Sequence, residues 1–168
     1  RSPDVIHSFW VPGLAGKMDM IPGRTNRLVV RATKAGTYRG VCAEFCGLGH
    51  ALMAFDVIAM PPRDFDAWLA RSRTPAANAT RGRGAMLFSQ QGCGGCHAIR
   101  GSAHAATIGP DLSHFGERLT LGAGILPPTP EAIAAFIRAP QKAKPGVRMP
   151  AYPQLSDADA MALAYYLK

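Results

Sequence analysis

The chain contains the pentapeptide Cys93-Gly94-Gly95-Cys96-His97, in which two thiols and an imidazole stand at a short fixed spacing. Cys-x-x-Cys-His is the attachment motif of a c-type haem: both thiols bond to the porphyrin, and the adjacent histidine ligates the iron. A thioredoxin-like redox pair has no need of the histidine, and a zinc site needs a second pair of ligands close by. The motif therefore predicts a covalent haem c on Cys93, Cys96 and His97.

The predicted haem iron needs a second axial ligand, because iron that only carries electrons prefers six ligands. Met149 lies in a proline-rich loop far along the chain and is the predicted ligand. Methionine ligation raises the iron's potential relative to two histidines, which suits an electron carrier. Four weaker candidates are His104, which is close in sequence to the motif, His114, and two methionines on predicted helices, Met86 and Met161. Of these, His114 stays open as an alternative.

A second cluster places soft donor atoms within twelve residues, from Cys42 to Met53. Thiolate, imidazole and thioether donors together suit copper. Two thiolates, Cys42 and Cys46, can bridge two copper ions, and each ion then needs a terminal ligand. His50 is one such ligand, and His7 is the only other histidine before residue 74. A Cys42–Cys46 disulfide and a structural zinc site are the alternative interpretations.

Composition and charge restrict the class of protein. The 168 residues are 48% hydrophobic and 18% charged, which is typical of globular protein. The net charge of +8 is spread evenly, and no Lys/Arg-rich run carries interleaved aromatics, so nucleic-acid binding is not expected. A basic surface of this kind suits docking to an acidic protein or to anionic lipid. It is equally typical of a soluble protein whose basic surface has no such partner. No apolar run reaches 18 residues and no apolar leader follows Arg1, so we expect a fragment of a longer precursor.

The first half of the chain, residues 1–73, is predicted to be a β domain. Its β-branched and aromatic runs are separated by turn signals such as Pro12-Gly13 and Pro22-Gly23. The predicted strands cover residues 5–11, 27–33, 37–41 and 55–60. A short helix is predicted to begin at Pro61-Pro62, where Phe65, Trp68 and Leu69 share one face.

The second half, residues 81–168, is predicted to be helical, and residues 74–80 are predicted to be a linker because they are small and polar. One helix should cover residues 81–91 and run into the haem motif. A second should begin after Thr129 and end at Pro140, and a third should begin after Ser156. The predicted fold class is therefore an all-β domain followed by an all-α domain.

Residues 82–168 resemble a class I bacterial cytochrome c over their whole length. The shared pattern is a helix, the Cys-x-x-Cys-His motif, Gly109-Pro110-Asp111-Leu112, a methionine loop and a C-terminal helix. The resemblance implies that the carbonyl oxygen of Pro110 accepts the Nδ1 proton of His97. Such a contact holds the imidazole in one orientation and one tautomer.

The segment from Cys42 to Met53 reads Cys-x-Glu-x-Cys-Gly-x-x-His-x-x-Met, and residues 4–12 read Asp-Val-Ile-His-Ser-Phe-Trp-Val-Pro. Over residues 2–71 the chain resembles the dinuclear copper (Cu-A) domain of cytochrome c oxidase subunit II, a cupredoxin-like Greek-key sandwich. The resemblance implies two bridging thiolates, two terminal imidazoles and two weak ligands: Cys42 and Cys46, His7 and His50, and Met53 with the carbonyl oxygen of Glu44. It also implies that the Glu44 carboxylate reaches a magnesium ion at the boundary with subunit I.

The chain departs from that family at its beginning. Family members carry a two-helix membrane anchor and the first strands of the sandwich before the His-Ser-Phe-Trp segment, and this sequence has neither. About seventy residues are also few for a whole sandwich. We therefore expect a partial sandwich in which the strand carrying His7 has an unpaired edge.

A copper domain followed by a cytochrome c domain resembles subunit II of the caa-type terminal oxidases. The resemblance implies a relay that passes electrons from an external donor, such as a cytochrome c, through haem c and dinuclear copper to subunit I. Oxygen would be reduced in subunit I, as part of a proton-translocating oxidase, with no bond chemistry in this chain. The resemblance also implies the periplasmic or extracellular face of a bacterial cell membrane. A copper-containing nitric oxide reductase and a copper-handling module are the alternatives.

Overall fold

The computed structural model describes residues 1–168 and contains a four-stranded antiparallel sheet followed by a helical region. The predicted fold class is confirmed. The strands are β1 (His7–Trp10), β2 (Met18–Met20), β3 (Gly36–Cys42) and β4 (Ala54–Ala59). Their order in the sheet is β2-β1-β3-β4. Two copper-ligand candidates, His7 of β1 and Cys42 of β3, therefore lie on neighbouring strands.

Strand β1 lies inside the sheet, and the prediction that the strand carrying His7 has an unpaired edge is wrong. His7 pairs with Met20 of β2, and Phe9 pairs with Cys42 of β3. The chain reverses after β1 in a turn where the backbone nitrogens of residues 14 and 15 both donate to the Val11 carbonyl. That reversal brings the unpredicted strand β2 alongside β1. The free edges of the sheet belong instead to β2 and β4.

The predicted strand at residues 27–33 does not form. These residues have no regular secondary structure, and the side chain of Val29 is 92% exposed. An apolar, β-branched run becomes a strand only where it finds a pairing partner and a surface to pack on. Among the described residues no strand lies next to this run.

The helices are α1 (Pro62–Ser72), α2 (Gly82–Gln90), α3 (Pro130–Arg138), α4 (Pro140–Ala143) and α5 (Asp157–Leu167). The predicted caps form: Thr129 Oγ1 accepts from the backbone nitrogen of Ala132 at 3.2 Å, and Ser156 caps α5 in the same way. Pro140 ends α3 as predicted, but it also begins the short helix α4, since proline suits the first helical position. None of these helices has the length and apolar character needed to span a bilayer.

The hydrophobic core lies almost wholly in the second half of the chain. Thirteen buried residues of that half and Ala79 of the predicted linker form one cluster, in which Phe88, Ile133 and Leu163 are 1–2% exposed. Helices α2 and α5 cross closely at Gly84. A methyl group placed there would lie only 2.3 Å from Cβ of Tyr166, so a larger residue would not fit. The first half contributes few buried residues: Ser2, Ser8, Val11, Gly40 and Cys42.

The predicted linker packs on the helical half. The backbone nitrogen of Ala76 donates to the carbonyl of Arg100 at 2.9 Å, and the hydroxyl of Tyr166 donates to the carbonyl of Ala79 at the same distance. Ala79 is itself buried in the core cluster. These contacts attach residues 74–80 to the second half, and the domain boundary there stays a prediction.

Candidate metal centres

The first candidate centre lies where β1 begins and β3 ends, next to the loop that leads to β4. Cys42 is the last residue of β3, and the pairing of Phe9 with Cys42 brings His7 of β1 to the same end of the sheet. Cys46 follows in the loop, and a single helical turn, His50–Leu52, leads to Met53. This loop, residues 42–53, is called the copper loop below.

The donor atoms of the copper loop lie close together. The Sγ atoms of Cys42 and Cys46 are 3.8 Å apart. Nδ1 of His7 lies 3.8 Å from Sγ of Cys42, and Nδ1 of His50 lies 3.6 Å from Sγ of Cys46. Sδ of Met53 is 3.9 Å from Sγ of Cys46. Each thiol therefore has its own imidazole, and the two thiols face each other.

This arrangement fits two metal ions that share the thiolates. A metal–thiolate bond is about 2.3 Å long in zinc sites, so two sulfurs bound to one ion lie at most about 4.6 Å apart. The Cys42–Cys46 separation of 3.8 Å satisfies that limit without the covalent contact of a disulfide, and both cysteines are free. The carbonyl oxygen of Glu44 lies 3.2 Å from Sγ of Cys42, whereas Met53 contacts Cys46. Two thiolates, two imidazoles, a thioether and a carbonyl form a donor set that suits copper.

The surroundings of the two thiols lower the pKa of one and raise the pKa of the other. Burial raises the pKa of the Cys42 thiol, but hydrogen bonds with the backbone of Ser8 and Glu44 and with the nearby imidazoles outweigh burial and lower it to about 6. Burial and the proximity of Cys42 raise the pKa of the Cys46 thiol. Metal binding releases the protons of its thiol ligands, and an acidic thiol makes the first release easier.

A carboxylate orients one of the two imidazoles. Nε2 of His7 lies 3.0 Å from Oδ1 of Asp4, which leaves Nδ1 pointing toward Cys42. Burial lowers the pKa of His7, but the hydrogen bonds to Asp4 and Cys42 outweigh it, so the pKa is raised. Sequence reasoning missed Asp4 as part of the site, although its position three residues before His7 was the available signal. The Glu44 carboxylate is half-exposed and lies 3.9 Å from Nζ of Lys17.

The second candidate centre is a cavity of about 370 Å³ in the helical half. Its lining is largely apolar and includes the five residues predicted to hold a haem: Cys93, Cys96, His97, Pro110 and Met149. The motif follows α2 directly, and its first three residues form a single helical turn, Cys93–Gly95. Two attachment thiols, an imidazole and a thioether around one apolar cavity fit a haem.

The imidazole of His97 is held by backbone on two sides. Its Nδ1 lies 2.8 Å from the carbonyl oxygen of Pro110, so Nδ1 carries the proton and Nε2 keeps its lone pair for a metal. A methyl group placed on Gly109 would lie 2.5 Å from Cε1 of His97, so only glycine lets the ring stand this close to the chain. The thiol of Cys93 is desolvated by burial, which raises its pKa.

The other axial candidates are engaged elsewhere. His104 makes a 2.9 Å hydrogen bond with Ser89, and Nε2 of His114 donates to the carbonyl oxygen of Thr74 at 3.0 Å. Met86 is half-exposed, and Met161 packs against the core. Met149 is the only one of the five candidates that lines the cavity. Its role as a ligand stays a prediction.

Two family models match the chain, one in each half. The family model described as the periplasmic domain of cytochrome c oxidase subunit II matches residues 1–60, and the cytochrome c model matches residues 82–168. A cytochrome c oxidase subunit 2 of Alkalihalophilus pseudofirmus is 44% identical over 171 residues, covering 100% of this chain and 49% of that protein. A cytochrome c oxidase subunit 2 of Bacillus subtilis is 36% identical over 181 residues, covering 100% of this chain and 51% of that protein.

Among solved structures, the periplasmic domain of subunit II of cytochrome oxidase from Bradyrhizobium japonicum is 37% identical. It matches 42% of this chain and 51% of that chain, with a TM-score of 0.41. The present chain spans about half the length of the curated relatives it matches.

Proposed function

Because this chain belongs to the cytochrome c family and carries a periplasmic domain of cytochrome c oxidase subunit II before it, we propose that it is the electron-transfer part of a haem–copper terminal oxidase. Electrons pass from an external donor to the haem, then to the copper pair, and then to subunit I, where oxygen is reduced. The chain is an oxidase subunit and makes no bonds to substrate itself.

The presence of two separate donor sets in one chain carries this proposal. One set joins two thiols 3.8 Å apart to an imidazole on each side, and the other surrounds an apolar cavity with the haem-attachment motif and a methionine. A redox enzyme with one cofactor would need only one of them. Two one-electron centres on one chain support a relay.

When bound, the haem and the copper pair would supply one-electron oxidation and reduction. The protein's residues keep both ligand sets in place. Cys42 and Cys46 would hold the coppers as shared thiolates, with His7 and His50 as terminal ligands. Met53 and the carbonyl oxygen of Glu44 would be weak ligands, and Asp4 holds His7 in position. His97 and Met149 would ligate the haem iron, and Cys93 and Cys96 would attach the porphyrin covalently.

The finer assignments form part of the same proposal. The copper domain comprises residues 1–73 and the cytochrome domain residues 81–168, joined by residues 74–80. The half-exposed Glu44 carboxylate contacts magnesium at the boundary with subunit I. Both centres face the periplasm or the cell exterior, and partner subunits and an N-terminal anchor attach the protein to the membrane.

Metal content and photoreduction test the relay. The full-length protein should carry two coppers and one haem iron per chain, and light-driven reduction of the haem should be followed by reduction of copper. Cys46→Ser should abolish the hyperfine pattern of an electron shared between two copper nuclei and leave the haem spectrum unchanged. Zinc in place of copper, or a reduced haem that passes no electron to copper, would contradict the proposal.

The axial ligand has its own test. Met149→His should keep the iron six-coordinate and lower the haem potential, since imidazole favours ferric iron more than thioether does. Met86→His, at a half-exposed position outside the cavity, is the matched control and should leave the potential unchanged. An unchanged potential in Met149→His would show that another residue is the ligand.

A further inference from the structure

The loop that leads to Met149 lies directly on the copper loop. A methyl group placed on Gly49 would lie 3.5 Å from the carbonyl oxygen of Pro145 and 4.0 Å from Cε of Lys144. A methyl group placed on Gly146 would lie 3.3 Å from Cβ of Leu48. Gly146 has a φ of +80°, which favours glycine, so the chain can turn here without a side chain between the loops. Residues 144–148 are called the docking loop below.

The docking loop also approaches a carboxylate that belongs to the copper site but lies outside the copper loop. Nη2 of Arg148 lies 4.0 Å from Oδ2 of Asp4, and the other oxygen of that carboxylate holds His7. A single carboxylate thus connects the residue next to Met149 with a predicted copper ligand.

Lys144 supplies the second cation of the docking loop. It is half-buried, its Cε lies 4.0 Å from the position of a methyl group on Gly49 of the copper loop, and it also lines the haem cavity. Lys142, two residues earlier on α4, is exposed and lines neither site. Of these two lysines, only Lys144 stands between the donor sets.

We propose that the docking loop, through Lys144 and Arg148, holds the Met149 loop against the copper loop and keeps the two redox centres within range of each other. The inference rests on the proposed relay and adds the residues that position its two centres. On the copper side the negative charge is the Asp4 carboxylate, and the Arg148 cation on the haem side is complementary to it. Complementary charges at a contact fix its register more than its strength.

The glycines of the two loops permit their close approach, and the two cations make the docked arrangement more favourable. An exposed ion pair changes an equilibrium by about two- to fivefold and is screened by salt. The docked arrangement should therefore be the major one at low ionic strength and become less populated as salt is added. Electron transfer between the centres reports that population, because its rate falls steeply with distance.

The test measures haem-to-copper electron transfer in the full-length protein loaded with copper and haem, after photoreduction of the haem by a ruthenium complex. Lys144→Gln and Arg148→Gln should each slow the transfer by about two- to fivefold at low salt and weaken its salt dependence. Arg148→Lys, which keeps the cation, should retain most of the rate. Lys142→Gln is the matched control and should transfer electrons as fast as the unsubstituted protein.

The outcomes separate this inference from the proposed function. If the unsubstituted protein transfers electrons and both glutamine variants match Lys142→Gln in rate and salt dependence, the docking role is wrong and the relay stands. If the unsubstituted protein transfers none, the relay itself fails. Copper content and the haem spectrum are measured in every variant. Should Lys144→Gln lose copper, the comparison of Arg148→Gln with Arg148→Lys decides.

Discussion

The two parts of the chain hold their imidazole ligands by different means. Residues 1–73 are called the copper half below, and residues 81–168 the haem half. His97 is fixed by backbone, through the carbonyl oxygen of Pro110 and the close approach of Gly109. His7 is fixed by a side chain, the carboxylate of Asp4, which is itself partly exposed. A backbone contact is stable as long as the surrounding fold is stable, whereas a side-chain contact can be lost with one residue.

The haem half also has the larger hydrophobic core. The haem half packs thirteen buried residues into one cluster with Ala79, and its helices α3 and α5 begin with side-chain caps. The copper half has a four-stranded sheet with few buried side chains, and α1 begins at Pro62 without a side-chain cap. The haem site is thus built on a scaffold with its own core, while the copper site depends more on contacts among its ligands and their neighbours.

Deleting one aromatic ring from each half tests that contrast most strongly. Phe88 is 1% exposed and lies in the haem-half core, so Phe88→Ala should cost about 3–5 kcal/mol of unfolding free energy. Phe65 of α1 is 45% exposed, and Phe65→Ala should cost less than about 1 kcal/mol. Chemical denaturation of the full-length chain, monitored at the haem and by circular dichroism, measures both. Equal losses would remove the difference between the halves.

Cys42 and Cys93 should titrate far apart in the metal-free chain. The pKa of Cys42 is lowered to about 6, while burial raises the pKa of Cys93 above its usual value of 9.0. Thiolate absorbance should therefore rise first near pH 6, and Cys42→Ser should remove that step.

The same shift links pH to the stability of the copper half. The folded pKa of Cys42 lies below the unfolded value of 9.0, so its contribution is fully present above pH 9. That contribution should be lost as the pH falls through about 6. Denaturation of the metal-free chain at several pH values measures it, and a copper half equally stable at pH 6 and pH 9 would contradict the assignment.

Removing the carboxylate that orients His7 should weaken copper binding. Asp4→Ala should lower copper affinity by about 10- to 100-fold, the usual effect of losing a group that orients a metal ligand. Competition with a chelator measures the affinity, and the exposed Asp64 of α1 gives the control, Asp64→Ala. No equivalent substitution exists for His97, because its partner is a backbone carbonyl. Unchanged copper affinity in Asp4→Ala would mean that His7 needs no such support.

The smallest expected effect concerns the caps that only the haem half possesses. Ser156 Oγ accepts from the backbone nitrogen of Asp159 at 3.1 Å, and Ser156→Ala should cost about 1 kcal/mol of unfolding free energy. Ser156→Thr keeps the oxygen and should recover most of that loss. If both variants cost the same, the cap contributes nothing and packing alone holds α5.

Local patterns in the sequence were enough for the fold class, the family resemblance and most helix boundaries. Thr129 and Ser156 are followed by helices because caps and apolar periodicity act within a few residues. The strand predicted at 27–33 failed because strand formation needs a partner that the sequence does not identify. For the same reason β2 was missed and β1 was placed at an edge, although its partners lie on both sides.

The sequence by itself determined which donor types stand at short spacing, because the copper loop and the haem motif each lie within a dozen residues. Only the tertiary structure decided that Asp4 holds His7, that Lys144 lies against the copper loop, and that Arg148 lies near Asp4. The last two of these contacts join residues far apart in the chain. They exist because the sheet and the helices pack in one particular way, and no local spacing encodes that packing.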